Sequence, residues 1–277
     1  MLIGFLGLML LAGLGALGGW AINQADNPVA IPSFTPPASV APNPSQAPIP
    51  TSTAQAPAGP AVDLPVVIAA LGPGATGPAV TAFQQRLANL SYMVGPVDGN
   101  YGAAMSYAVT AFQKVEGLPR TGVVDALTRS AMQTAGVPAP AYAAPPDHIE
   151  VDIAHQVMLI VDNGQVTATV AVSTGTDKKF TEKDSPGPHK AVTPNGVFSV
   201  LWKHNGWWTS PLGQMYKPSF IDDSLGIAIH GYPEVPPQPA SHGCIRVPMP
   251  FADAIYAHDT SVGLTVFVHG GPDGPNP

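Results

Sequence analysis

The chain has 277 residues, 33 of them proline and 29 glycine, so one or two ordinary domains are joined to a good length of irregular chain. Charged side chains make up only 10% of it and the formal net charge is −7, which gives no basic surface to attract a nucleic-acid partner. A single cysteine excludes an intramolecular disulfide framework.

Met1 to Ile22 contain no charged side chain and are about long enough to cross a bilayer as one helix. An N-terminal export signal or membrane anchor is expected at 1–22, with any membrane contact made there. The basic start and small-residue cleavage site of a secretory signal are not clear, so cleavage and retention both stay open. A lipoprotein is not expected, because no cysteine follows the apolar run. Residues 23–62, rich in Pro, Ala, Ser and Thr, bury little apolar surface and favour extended polyproline II. They read as a disordered linker, and as an extracytoplasmic tether they would place all that follows outside the cytoplasm.

From 63 to 136 the apolar period becomes helical. Val80, Phe83, Leu87 and Leu90 share one face after Gly74-Ala75-Thr76-Gly77-Pro78, and Met105, Ala108, Val109 and Phe112 share another. A third short helix is expected after Thr121-Gly122-Val123-Val124-Asp125, with Leu127 and Met132 inward. Phe83-Gln84 and Phe112-Gln113 hint at an internal duplication. Periodicity alone gives a three-helix domain whose glutamines would sit on solvated faces.

After a Pro/Ala connector the period changes to two: Ile149, Val151 and Ile153, then Val157 to Val161, then Val166 to Val172. Asp162-Asn163-Gly164 predicts a hairpin. Further strands are expected near Val197–Trp202, Gly226–Ile229 and Leu264–Val268, with one helix from about Pro250 to His258. A mainly antiparallel β domain follows.

The chemistry concentrates in Ser241-His242-Gly243-Cys244-Ile245-Arg246. A thiol is a nucleophile only as thiolate, and His242, or His230 brought back by a loop, could take its proton. Gly243 permits a tight turn that brings backbone N–H groups near a substrate carbonyl, and Arg246 can bind a carboxylate. The rival reading makes Cys244 an inert core residue. The other histidines show no metal-ligand spacing, so a metal is not expected.

The helical segment resembles the three-helix peptidoglycan-binding module through Gly74, Gly77, Val80, Gln84, Leu87, Asp98-Gly99, Tyr101-Gly102, Phe112-Gln113, Gly117-Leu118 and Thr121-Gly122. Residues 147–270 resemble the L,D-transpeptidase (YkuD) catalytic domain through Ser173-Thr174-Gly175, Thr193-Pro194-Asn195-Gly196-Val197-Phe198, Ile227-Ala228-Ile229-His230-Gly231, Ser241 to Val247 and Val262-Gly263-Leu264-Thr265-Val266. These resemblances imply a YkuD-like β-sandwich beside a small all-α module, acting on peptidoglycan stem peptides and glycan. They imply Cys244 as nucleophile, His242 as the base that forms the thiolate and His230 as a second pocket histidine. Ser241 would fix the loop, Gly243 would orient His242 through its backbone, and Arg246 and Gly231 would lie on the substrate side. Tyr216 would belong to a lid over the donor site, in a segment from Trp202 to Phe220. The implied reaction is 3→3 cross-linking, which needs no cofactor, with carbapenem-type β-lactams as inhibitors. The alternatives are an L,D-carboxypeptidase using water as acceptor and a non-catalytic wall-binding protein. A papain-like protease is disfavoured, because His242 precedes Cys244 by two positions.

Overall fold

The computed structural model describes residues 57–66, 69–182, 185–272 and 276–277. The expected leader, and the expected linker up to residue 56, lie outside the described residues. Among the described residues no helix is long and apolar enough to cross a membrane. Residues 57–62, expected as linker, instead run along the end of the third helix, where the Gly59 and Val62 N–H groups donate to Thr134 and Gln133 carbonyls at 2.7 and 2.9 Å.

The helical module comprises α1 (Pro78–Asn89), α2 (Ala103–Val115) and α3 (Ala126–Thr134). Val80, Phe83 and Leu87 of α1 and Met105, Val109 and Phe112 of α2 are fully buried against one another, as their spacing predicts. Leu127 departs from expectation and is 54% exposed. The Asp125 side chain accepts from the Thr128 N–H at 2.7 Å and caps α3, and Thr128 and Met132, four residues apart, share the inward face while Leu127 lies off it.

The two glutamines are buried rather than solvated, and they do the same work twice. Gln84 Oε1 accepts from the Gly99 N–H at 2.8 Å while its amide donates to Asp98, Pro96 and Asn100. Gln113 Oε1 accepts from the Gly122 N–H at 2.8 Å while its amide donates to Thr121, Val123 and Thr128. Each helix therefore clamps a glycine turn at positive φ, Gly99 at 74° and Gly122 at 68°, which gives the suspected duplication a physical form.

After the connector, the strands are β1 (His148–Asp152), β2 (Val157–Asp162), β3 (Gln165–Ala171), β4 (Lys179–Glu182), β5 (Ser185–Lys190) and β6 (Gly196–Ser199). They continue as β7 (Trp202–Lys203), β8 (Trp207–Ser210), β9 (Gly213–Asp222), β10 (Ile227–Tyr232) and β11 (Ile245–Pro248). Then come α4 (Met249–Ala254), which runs into a wider π turn at Ile255–Asp259, and β12 (Thr265–His269). One sheet has the order β3-β2-β1-β12-β6 and the second β11-β10-β9-β7, with β8 also on β9, while β4 and β5 form a separate hairpin. Among the described strands, β1–β12 and β10–β11 are the pairs that run in parallel. Asn163 and Gly164 both take positive φ, the geometry of the two-residue turn that their sequence predicts.

The sandwich core joins Ile149, Val151, Met158 and Ile160 of the first sheet to Ile227, Ile229, Ile245 and Val247 of the second. The outer face of β1 is also covered. Glu150 accepts from the Ala141 and Tyr142 N–H groups at 2.9 Å each, and Tyr142 stacks on Phe267 at 4.2 Å, so the connector is laid back over the sheet. The helical module packs on β3, where Ser91 and Met93 exchange hydrogen bonds with Thr169 at 2.6 and 3.1 Å, and Val157 and Ala171 enter the helical core.

Gln113→Leu fills the same space but leaves the Gly122 N–H and the Thr128 hydroxyl without their partner, and it is expected to destabilise the protein by about 2–3 kcal/mol. Gln85→Leu on the exposed face of α1 is the control, and urea midpoints of the two variants against the parent decide the matter.

Candidate active site

The cysteine and its neighbours are positioned by one register. β10 and β11 run in parallel with Ile229 opposite Ile245 and His230 opposite Arg246. Because side chains alternate along a strand, Ile229, Ile245 and Val247 enter the core while His230, Cys244 and Arg246 face the same cleft. On the other side of β10 the pairing with β9 slips between Ile229 and Gly231, beside Lys217 at φ 47°, so His230 sits at a bulge.

The turn into β11 is closed by its own serine. Ser241 Oγ accepts from the Gly243 N–H at 3.0 Å and donates to the Cys244 carbonyl at 2.6 Å. Gly243 has φ 147°, and a Cβ there would lie 2.8 Å from the Val192 carbonyl oxygen. Thr193 Oγ1 bridges the turn to the strand beside it, donating to the Gly243 carbonyl at 2.5 Å and accepting from the Gly175 N–H at 2.9 Å. The Thr174 carbonyl accepts from the Ala240 and Ser241 N–H groups at 3.0 and 2.9 Å, and Ser173 and Arg246 exchange backbone bonds at 3.1 and 3.0 Å. Ser173-Thr174-Gly175 and Thr193 thus act as the frame that holds the cysteine turn.

The two histidines differ sharply. His230 is 4% exposed, and its Nδ1 lies 2.9 Å from the Gly231 carbonyl, which can only accept. The proton is therefore assigned to Nδ1, and Nε2 keeps a lone pair. Burial lowers the His230 pKa to about 4, so the ring is a neutral proton acceptor at neutral pH. His242 is exposed, with its ring edge-on to Phe180 of the β4–β5 hairpin at 4.7 Å between centroids.

Cys244 is half-buried, with Sγ 3.6 Å from the Gly226 carbonyl and 4.0 Å from Met215 Sδ. Burial raises the thiol pKa, while the Ala228 backbone and the Arg246 guanidinium pull the other way. The sulfur therefore rests as a thiol and needs a proton acceptor to react.

Cys244, His230, His242, Ser241 and Arg246 line one cleft together with the tip of the β8–β9 hairpin, Leu212 to Met215. Three expectations are corrected. Gly243 does not orient His242, because its N–H and carbonyl are bound to Ser241 and Thr193. Tyr216 is not on the cleft wall: its hydroxyl donates to Asp253 at 2.9 Å, and its ring lies behind Gly231. Gly231 is likewise behind the wall, where a Cβ would come within 2.7 Å of Ala252, and its carbonyl serves His230 instead of a substrate. Arg246 does reach the cleft, its guanidinium 3.9 Å above the Tyr232 ring. The expected lid segment is mostly sheet, β7 to β9, and only its hairpin tip overhangs the cleft. Phe180 went unassigned in the sequence and Met215 was covered only as part of the lid segment, since an apolar side chain in a strand carries no signal of the thiol or imidazole it will touch.

Residues 76–132 match the model of a peptidoglycan binding domain, and residues 146–268 match that of the L,D-transpeptidase catalytic domain. The chain is similar to the crystal structure of residues 123–326 of the L,D-transpeptidase from Xylanimonas cellulosilytica, with 34% identity and a TM-score of 0.69 over 74% of this chain and 100% of that one. An L,D-transpeptidase from Stackebrandtia nassauensis matches at 21% identity and a TM-score of 0.41, covering 74% of this chain and 95% of its own. L,D-transpeptidase 3 from Mycobacterium tuberculosis, in complex with a faropenem-derived adduct, matches at 17% identity and 0.36, over 45% and 60% of the two chains. No curated protein matches.

Thr193→Val removes both ends of the bridge between Gly175 and Gly243 and is expected to cost about 1–3 kcal/mol, with Thr193→Ser restoring most of it in a urea titration. The His230 shift sets a pH dependence. The unfolded chain takes up a proton near the ordinary 6.5 and the folded protein only near 4, so between these values the unfolded state binds more protons and stability falls as the pH falls. The urea midpoint of the parent is expected to drop across that window more steeply than that of His230→Asn.

Proposed function

The chain belongs to the L,D-transpeptidase family, and from that premise we propose that it cross-links peptidoglycan through a thioester on Cys244. The observation that carries this reading is the shared cleft of Cys244, a buried neutral His230 and Arg246. As the Cys244 sulfur approaches the carbonyl of the third, diamino-acid residue of a tetrapeptide stem, His230 Nε2 takes the thiol proton. The thiolate adds to the carbonyl carbon, and backbone N–H groups beside Cys244 stabilise the oxyanion. Collapse expels the terminal D-alanine amine, which leaves with the proton from His230. The side-chain amine of a second stem then attacks the thioester and gives its proton to His230, which passes it to the departing sulfur, so that the thiol is regenerated and a 3→3 link forms. No external energy source is needed, since each acyl bond broken is replaced.

His230, rather than His242, is assigned the base. Its Nδ1–H is fixed by the Gly231 carbonyl, which leaves one defined acceptor nitrogen, whereas His242 rests exposed against Phe180. Ser241 holds the turn, and Arg246 offers a cation to a stem carboxylate. The hairpin tip from Leu212 to Met215 forms the wall against which the donor stem lies. Both matched domains act on peptidoglycan, so the site of action is outside the cytoplasm.

The test is incubation with disaccharide-tetrapeptide and mass analysis of the products. A dimer lacking one D-alanine is expected, with Cys244→Ala inactive and a carbapenem adduct found on the parent alone. Tripeptide monomer without dimer would make the protein an L,D-carboxypeptidase, and unchanged substrate would favour a wall-binding role. The base assignment is tested separately. His230→Asn is expected to lower kcat by about 10²–10⁴-fold, the range of general base catalysis, and His242→Asn by far less.

A further inference from the structure

Lys114, on α2 of the helical module, is buried to 1% exposure in the interface with the β domain. Its amine donates to the Gln156 carbonyl at 2.9 Å and the Val172 carbonyl at 2.8 Å. Both acceptors are neutral, and burial, helped by the nearby Arg120 guanidinium, lowers the Lys114 pKa to about 7. A methionine would fill the same volume without that desolvation, so what lysine supplies is the pair of directed hydrogen bonds.

Those bonds lead to the cysteine. Gln156 sits in the β1–β2 turn at φ 61°, and its side chain grips Thr174 twice, donating to Oγ1 at 2.6 Å and accepting from the N–H at 2.9 Å. The Thr174 carbonyl in turn holds the Ala240 and Ser241 N–H groups, and Ser241 Oγ closes the turn on Cys244. Val172, the other acceptor, directly precedes Ser173, which pairs with Arg246. A second contact runs parallel to the first: Arg120 donates to the Pro237 carbonyl at 3.1 Å, in the loop between His230 and Ser241, and the next carbonyl, Gln238, accepts from Ser173 Oγ at 2.8 Å.

We infer that Lys114 is a positioning residue for the acyl transfer, and that the helical module sets the geometry of the cysteine turn as well as contacting the wall. The inference rests on the assignment of Cys244 as nucleophile. In the full chain, Lys114→Met is expected to lower kcat and the rate of Cys244 alkylation by iodoacetamide together, on the order of tenfold, while KM stays within about twofold. Gln156→Met interrupts the same route from the other side, and the double variant is expected to be no slower than either single one. Lys114→Gln, which keeps a donor, is expected to recover part of the rate and stands in should Lys114→Met fail to fold. A purely structural lysine would lower the unfolding midpoint yet leave kcat and alkylation unchanged in folded protein, and that result overturns the inference. A Cys244→Ala protein that still formed product would instead overturn the nucleophile assignment, and the alkylation rate would continue to read the position of the turn.

Discussion

The parallel pairing of β10 with β11 is the constraint on which the site depends. Parallel neighbours usually need a long crossover with a helix, yet here twelve residues, 233–244, make the return without one. A loop of that kind satisfies only part of its own backbone, here through Ser241 Oγ at Gly243 and Cys244, and further bonds come from outside. They come from the stretch after β3, where Ser173, Thr174 and Thr176 take up the backbone of Ala240, Ser241 and Arg246. Once that seam is closed, the register follows, and a register error of one residue would turn Cys244 into the core and Ile245 into the cleft.

The same logic extends outwards. β3, which leads into the seam, has an edge that would otherwise face water, and the segment Ser91–Met93 of the helical module covers it. The module is shaped by two equivalent devices, a buried glutamine on each of α1 and α2 clamping a glycine turn. Each satisfies a backbone N–H that no helix or strand could reach, which explains why such polar side chains lie in the middle of an otherwise apolar core. The two halves of the described chain therefore share a boundary made of backbone bonds, apolar contacts, one buried lysine and the Arg120 contact to Pro237.

The sequence made much of this legible. Ser241, His242, Cys244 and Arg246, singled out for chemistry in the sequence, do meet in one cleft, and the helical apolar faces emerge as spaced. The parts that were not legible share a physical reason. Nothing in a one-dimensional pattern distinguishes a glutamine that hydrates a helix from one that clamps a turn, or tells which of two histidines a neighbouring carbonyl will pin. Leu127 was misplaced because it stands five residues before Met132 and cannot share its helix face, whereas Thr128, four residues before Met132, does. Tyr216 and Gly231 were assigned to the substrate side by family position, whereas α4 packs against them and draws them behind the wall.

The resting state of the sulfur has a consequence for chemical durability. Oxidants, like acyl donors, react with thiolate far faster than with thiol, and over-oxidation beyond the sulfenic stage is irreversible for an isolated cysteine. With no second cysteine in the chain to resolve a sulfenic acid as a disulfide, a standing thiolate would be a liability in an oxidising compartment. Burial that keeps the Cys244 thiol protonated lowers its resting reactivity towards oxidants, and in the proposed acyl transfer the neutral His230 imidazole would free the thiolate only with a donor stem bound, which exchanges resting reactivity for a longer working life.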